Sequence, residues 1–191
     1  MDPDPAKTSP VVLAYEVALC VNPRSDTVGV VADVFIEVAA PTSQLFFDAI
    51  DLAVERITAN GPSRSQLSQV TTNGSQLIAS FAEPLIPGVY RILVELSAPL
   101  RSDGRGLHHN TATDITLSSP HYLWPLLRAT GLPTVQLRTI TPNLFEVTCP
   151  ALPISDSAGR THRTITFAPT PPMDPADFTL TIATPVFAPA N

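Results

Sequence analysis

Apolar and polar residues alternate with a period of two along most of this chain. Val11, Leu13, Tyr15, Val17, Leu19 and Val21 are interleaved with Glu16 and Ala18. Val30, Ala32, Val34, Ile36 and Val38 are interleaved with Asp33 and Glu37, and Tyr90, Ile92, Val94 and Leu96 with Arg91 and Glu95. Such a pattern sends one set of side chains to the core face of a strand and leaves the other in water. It predicts strands at these three stretches, with further ones at residues 45–50, 52–58, 76–82, 135–140, 144–149, 162–167 and 178–186. Asn60-Gly61-Pro62, Asn73-Gly74, Pro87-Gly88 and Asp103-Gly104 separate strands with residues tolerant of positive φ. One helical turn is predicted around residues 121–128, interrupted by Pro125. Many short strands with regular turn signals predict an all-β fold, a two-sheet antiparallel β-sandwich. Neither an internal repeat nor a linker divides it. Residues 11–187 read as one β domain between flexible tails at 1–10 and 188–191.

Composition sharpens this picture. The chain has 191 residues, enough for one sizeable core, and 21 prolines against 8 glycines. Each proline removes an amide donor and clashes with a preceding helical turn, so helical bundles and coiled coils are excluded. A net charge of −6 leaves no basic footprint for a phosphate backbone, and nucleic acid is not an expected partner. The acidic, proline-broken start has no apolar signal segment, and no run reaches the ~20 apolar residues of a membrane span. A cytoplasmic or other intracellular location is the expectation. Cys20 and Cys149 are too few for a disulfide framework and read as reduced, buried thiols, a single bridge between them being the alternative.

Motifs for catalysis are missing from the sequence. His108, His109, His121 and His162 form no His-Glu-x-x-His pair, and the adjacent His108 and His109 point to opposite sides of an extended chain. No Gly-x-Ser-x-Gly elbow is present, and Asp103-Gly104-Arg105-Gly106 lacks the Lys-Ser/Thr and helix of a phosphate loop. No metal and no cofactor are expected. The single tryptophan, Trp124, reads as core packing rather than a sugar platform, which sets a ligand-binding sandwich behind the other readings.

The order of several segments resembles the aminopeptidase N-like zinc peptidases. Tyr15-Glu16-Val17-Ala18-Leu19 is similar to that family's Tyr-x-Leu-x-Leu strand, and Val28-Gly29-Val30-Val31-Ala32-Asp33-Val34 to its Gly-x-Val-x-Ile strand. Ala40-Pro41-Thr42-Ser43-Gln44-Leu45 resembles the Pro-Thr segment that follows. Leu85-Ile86-Pro87-Gly88-Val89-Tyr90 matches Leu-x-x-Gly-x-Tyr. Most specific is Phe167-Ala168-Pro169-Thr170-Pro171-Pro172-Met173, which is similar to Phe-x-x-Thr-Pro-Pro-Met. The likeness runs from Tyr15 to Phe187 and implies the family's N-terminal β-sandwich, or saddle, standing without the thermolysin-like domain that supplies zinc ligands and acid–base groups.

Within that domain the family uses one Gln or Glu, in a Thr-Gln-x-Glu/Gln-Pro segment, to hold the substrate amine. The aligned run is Thr116-Leu117-Ser118-Ser119-Pro120, which puts the uncharged Ser119 at the anchoring position. The family's Gly-Leu/Ile-Tyr-x-Ser rim is altered to Gly106-Leu107-His108-His109-Asn110, making Leu107, His108 and His109 a changed active-site rim. The resemblance therefore implies no catalytic residue in this chain. It implies a non-catalytic interaction or scaffold module with protein partners, the alternative being a cap or fragment of a zinc aminopeptidase whose catalytic part is elsewhere.

Overall fold

The computed structural model describes residues 9–63, 66–111 and 114–184. Its strands are β1 (Val11–Cys20), β2 (Thr27–Val38), β3 (Thr42–Asp48), β4 (Ala53–Asn60) and β5 (Leu67–Thr72). There follow β6 (Gln76–Leu85), β7 (Gly88–Pro99), β8 (Gly106–His109), β9 (Asp114–Ser118) and β10 (Leu126–Leu127). The last are β11 (Thr134–Pro142), β12 (Glu146–Thr148), β13 (Pro153–Ala158), β14 (His162–Phe167) and β15 (Leu180–Ala183). Two short 3-10 turns, Pro120–Tyr122 and Pro175–Asp177, complete the described elements.

The strands form a seven-stranded sheet ordered β13-β14-β11-β1-β2-β7-β4 and two four-stranded sheets, β10-β3-β6-β5 and β12-β15-β9-β8. The all-β sandwich expected from the alternation is the observed fold. Pairing is antiparallel except that β1 runs parallel to β11, with Tyr15 opposite Val135 and Leu19 opposite Thr139. A parallel neighbour must arrive by a long connection. Here everything from β2 to β10 lies between the two.

One core joins the sheets. Tyr15, Val17, Leu19, Val34, Ile36, Ile92 and Val94 meet Leu45, Phe47 and Leu77 from the second sheet and Leu107, Ile115, Leu117, Leu180 and Ile182 from the third. Trp124 is fully buried in it and meets Phe178 edge to face at 5.7 Å, a favoured aromatic geometry.

Several local expectations are corrected. The β1–β2 register shifts between Val12 and Ala14, so Val12 turns inward and Leu13 is exposed. A bulge inserts one residue and inverts the alternation on its far side. Asp33, expected in water, is only 8% exposed because the Arg91 guanidinium covers it with two 2.7 Å hydrogen bonds. Cys20 is exposed rather than buried, since it follows the inward Leu19 by one residue; Cys149 is half-buried, and both thiols are free. The helical turn is confined to Pro120–Tyr122, and the segment beyond Pro125 becomes the strand β10. Gly61 does not adopt positive φ; it is required because a Cβ there would lie 2.2 Å from the Tyr90 ring. The segments at 67–72, 106–109, 114–118 and 153–158 are strands that the pattern did not announce. The expected strand at 178–186 is observed over Leu180–Ala183; residues 185 and 186, and most of both expected tails, lie outside the described residues.

Candidate functional site

A cleft of about 540 Å³ opens where the first two sheets meet. That volume falls within the ~300–1,000 Å³ of small-ligand sites. Its floor is the hydroxyl end of Tyr15, whose oxygen accepts the Leu127 amide at 2.9 Å. Burial pushes the Tyr15 phenol well above its ordinary pKa, and the neighbouring Asp174 and Asp48 carboxylates add to the effect. The phenol therefore stays protonated.

Local structure explains how each polar group reaches the cleft. β10 adds to the edge of β3, with Leu126 opposite Asp48 and Leu127 opposite Phe47, and the Arg128 amide donates to the Phe46 carbonyl at 2.8 Å. Alternation along β10 turns the Leu127 amide the other way, toward Tyr15. Arg128 then lies beside Asp48, its Nε 2.7 Å from Oδ1. His121 arrives from the Pro120–Tyr122 turn, held by the Ile50 amide on its carbonyl at 3.0 Å. Asp174 arrives from a segment laced to β11: Val135 donates to Thr170 Oγ1 at 3.0 Å, Thr170 to the Val135 carbonyl at 2.9 Å, and Met173 to the Pro133 carbonyl at 3.0 Å. Its Oδ1 accepts the Ala176 amide at 2.9 Å, capping the Pro175–Asp177 turn. Leu126, Leu132 and Pro133 supply apolar wall, and Leu132 projects to 64% exposure.

Ser119 and the 106–109 segment lie beside this cleft rather than in it. Ser119 is exposed at φ 56°, and immediately precedes the turn that bears His121. Leu107 is fully buried, paired with Leu117 across β8 and β9. His108 is half-buried, with Nδ1 3.1 Å from the Gly106 carbonyl, while His109 is exposed. Across this rim Arg101 reaches Asp51 at 2.9 Å and Asp103 at 2.7 Å and lies 5.3 Å from the Tyr122 ring centre. That guanidinium holds the Asp103 carboxyl below the usual range. Asp51 and Ser119 are the non-glycine residues with left-handed backbone among those described, at φ 57° and 56°, and they flank the same turn. Left-handed backbone at non-glycine residues is uncommon and concentrates at sites of function or constraint.

No group of three His, Cys, Asp or Glu side chains converges among the described residues. Sequence reasoning missed Tyr15, Asp48, Arg128 and Asp174 as one constellation. Tyr15 read as an inward residue of a strand, Asp48 and Arg128 fell unremarked in the expected strand at 45–50 and turn at 121–128, and Asp174 was not singled out. The available signal was the Phe167–Met173 motif, whose Thr170 and Met173 tie the chain leading to Asp174 to Val135 and Pro133.

No family model matches this chain, and no curated protein matches it. Among solved structures, it is similar to a glutamate-to-alanine variant of the M1 zinc metallopeptidase from Deinococcus radiodurans, at 16% identity and a TM-score of 0.73. The same variant bound to a Tyr-Ser-Ala substrate matches equally, again at 16% identity and a TM-score of 0.73. Each match covers 92% of this chain but 42% of the metallopeptidase chain. The likeness is one of fold, and agrees with the N-terminal sandwich of an aminopeptidase N-like enzyme.

Proposed function

We propose that this domain is a non-catalytic protein-interaction module, a scaffold built on the metallopeptidase sandwich. One observation bears most of the weight. The four most exposed large apolar side chains, Leu132, Leu144, Leu152 and Ile154, at 63–80% exposure, all fall within 23 residues of chain from β11's approach to β13. Leu152 and Ile154 stand two residues apart at β13, the outermost strand of the seven-stranded sheet, and Leu132 and Leu144 stand at opposite ends of β11, so apolar side chains are offered to a partner along this side of the sheet. An uncharged Ser119 at the position that resembles the amine anchor supports the same reading.

A second reading is favoured by the coverage: this chain spans less than half of the metallopeptidase chains it matches. On that reading the domain caps a catalytic partner that supplies zinc ligands in trans. Affinity capture of the tagged chain at native stoichiometry separates the two. A defined assembly without a zinc peptidase, and no aminopeptidase turnover by the purified chain with or without zinc, is the expected result. Stoichiometric recovery of a zinc peptidase, or metal-dependent turnover by the pure chain, would overturn it.

A further inference from the structure

We propose that the cleft between β1, β3, β10 and the Pro175–Asp177 turn docks an extended, neutral or basic peptide segment of a partner protein, with a segment backbone carbonyl accepting a hydrogen bond from Tyr15. This deepens the interaction-module reading and rests on it.

The Tyr15 hydroxyl has an incomplete hydrogen-bond inventory. Tyr15 is 1% exposed, and a phenol both donates and accepts. Its oxygen takes the Leu127 amide, which faces away from β3 at the free edge of the second sheet. Its proton has no acceptor among the described residues. Opposite, the exposed Asp174 uses Oδ1 to cap Ala176, and its carboxylate lines the same cleft. A buried donor lacking an acceptor among the described residues and a solvent-facing carboxylate thus line one cleft. A peptide backbone offers a carbonyl and an N–H on every non-proline residue, and so meets both along one short stretch.

Charge selects among peptides. The cleft contains two carboxylates, Asp48 and Asp174, against one guanidinium, Arg128, already committed to Asp48. Asp174 repels an anion from the Tyr15 end and attracts a lysine or arginine side chain. Leu126, Pro133 and the projecting Leu132 form an apolar wall for an intervening aliphatic side chain. Such a polar floor with an apolar wall is the usual build of a site that orients an extended ligand.

The test uses the full chain and three blocked tripeptides, N-acetyl-Lys-Leu-Ala-amide, N-acetyl-Ala-Leu-Ala-amide and N-acetyl-Glu-Leu-Ala-amide, titrated by amide NMR. Saturable shifts are expected at Leu127, Arg128, Leu132 and Ala176, strongest for the lysine peptide and weakest for the glutamate peptide. Tyr15→Phe should weaken binding about five-fold, the loss of one ordinary hydrogen bond. Leu132→Ser, a charge-neutral loss of apolar wall at an exposed site where folding is insensitive, should weaken binding of all three peptides and decides the matter if Tyr15→Phe does not fold. Shifts elsewhere, no saturable shifts, a preference for the glutamate peptide, or binding unchanged by the variants would each overturn the proposal. Partner capture that survives both variants in the absence of tripeptide binding would remove the cleft while leaving the interaction module standing. Tripeptide binding without any stable protein partner would instead remove the module.

Discussion

Single residues show how far one atom's surroundings decide its behaviour. Cys20 and Cys149 are both free, yet Cys20 projects from β1 while Cys149 is half-buried, donates to the Ala151 carbonyl, and has its thiol pKa raised by burial. Thiolate is the reactive form. A colorimetric disulfide reagent at neutral pH should therefore show a fast and a slow phase of equal amplitude, and Cys20→Ser should delete the fast one. At Gly61 the deciding atom is absent. Its place against the Tyr90 ring leaves no room for a methyl group, and Tyr90 is itself pinned because its hydroxyl donates to the Ile86 carbonyl and accepts from Ser63 Oγ. Gly61→Ala is expected to cost about 1–3 kcal/mol in urea unfolding, as overpacking of a filled interior does.

At the scale of an element, β11 is the most informative strand. Its inward positions are Val135, Leu137, Thr139 and Thr141, so the apolar alternation turns into threonine halfway along. Both hydroxyls are fully buried without a partner among the described residues. A buried polar group left without a hydrogen bond is a standing cost, and valine has nearly the same shape. Thr139→Val and Thr141→Val should each raise stability by about 1 kcal/mol in equilibrium denaturation; a loss in either would mean that its hydroxyl has a partner, such as an ordered water. The outermost strand of the same sheet, β13, shows the reverse economy. Pro153 removes an edge donor, the register shifts between Pro153 and Ser155, and Asp156 pairs with Arg163 on β14. These features blunt an edge against indiscriminate strand addition. They leave the cleft, rather than this strand, as the place where an extended peptide docks.

Across the whole molecule, protons set a stability window. Hydrogen bonds from Arg101 and Arg163 hold the Asp103 and Asp156 carboxyls below the usual range. A depressed folded-state value means that their contribution is present above the ordinary aspartate pKa of about 3.9 and is lost as pH falls below it. Both pairs face solvent, so this loss is shallow. Tyr15 has the opposite sign. Burial raises its value, so its contribution is present below the ordinary tyrosine pKa of about 10 and is lost as pH rises further. Urea midpoints should be flat between about pH 5 and 9 and fall on both sides, with Arg101→Gln softening the acid limb and Tyr15→Phe the alkaline one. The lone, fully buried Trp124 supplies the probe, and its emission should shift to the red on unfolding.

Alternation alone determined the fold class, because a period of two has one physical meaning when one sheet face is buried: β1, β2, β7 and β14 could be placed before any coordinates. Positions such as Val34, Ile92 and Val94 were legible as core for the same reason. What alternation cannot encode is which strands meet. The parallel pairing of β1 with β11 joins residues more than a hundred positions apart, and it depends on how all intervening strands close the sandwich. Strands without an apolar face were also silent; β13, exposed at every position, is defined by its hydrogen bonds to β14. The same holds for the cleft. Tyr15, Asp48, Arg128 and Asp174 come from four separate segments, and each is unremarkable where it stands in the chain. Only the tertiary structure turns a core tyrosine's hydroxyl toward a cleft, because the two-residue strand β10 ends the second sheet there and leaves one amide for it to meet.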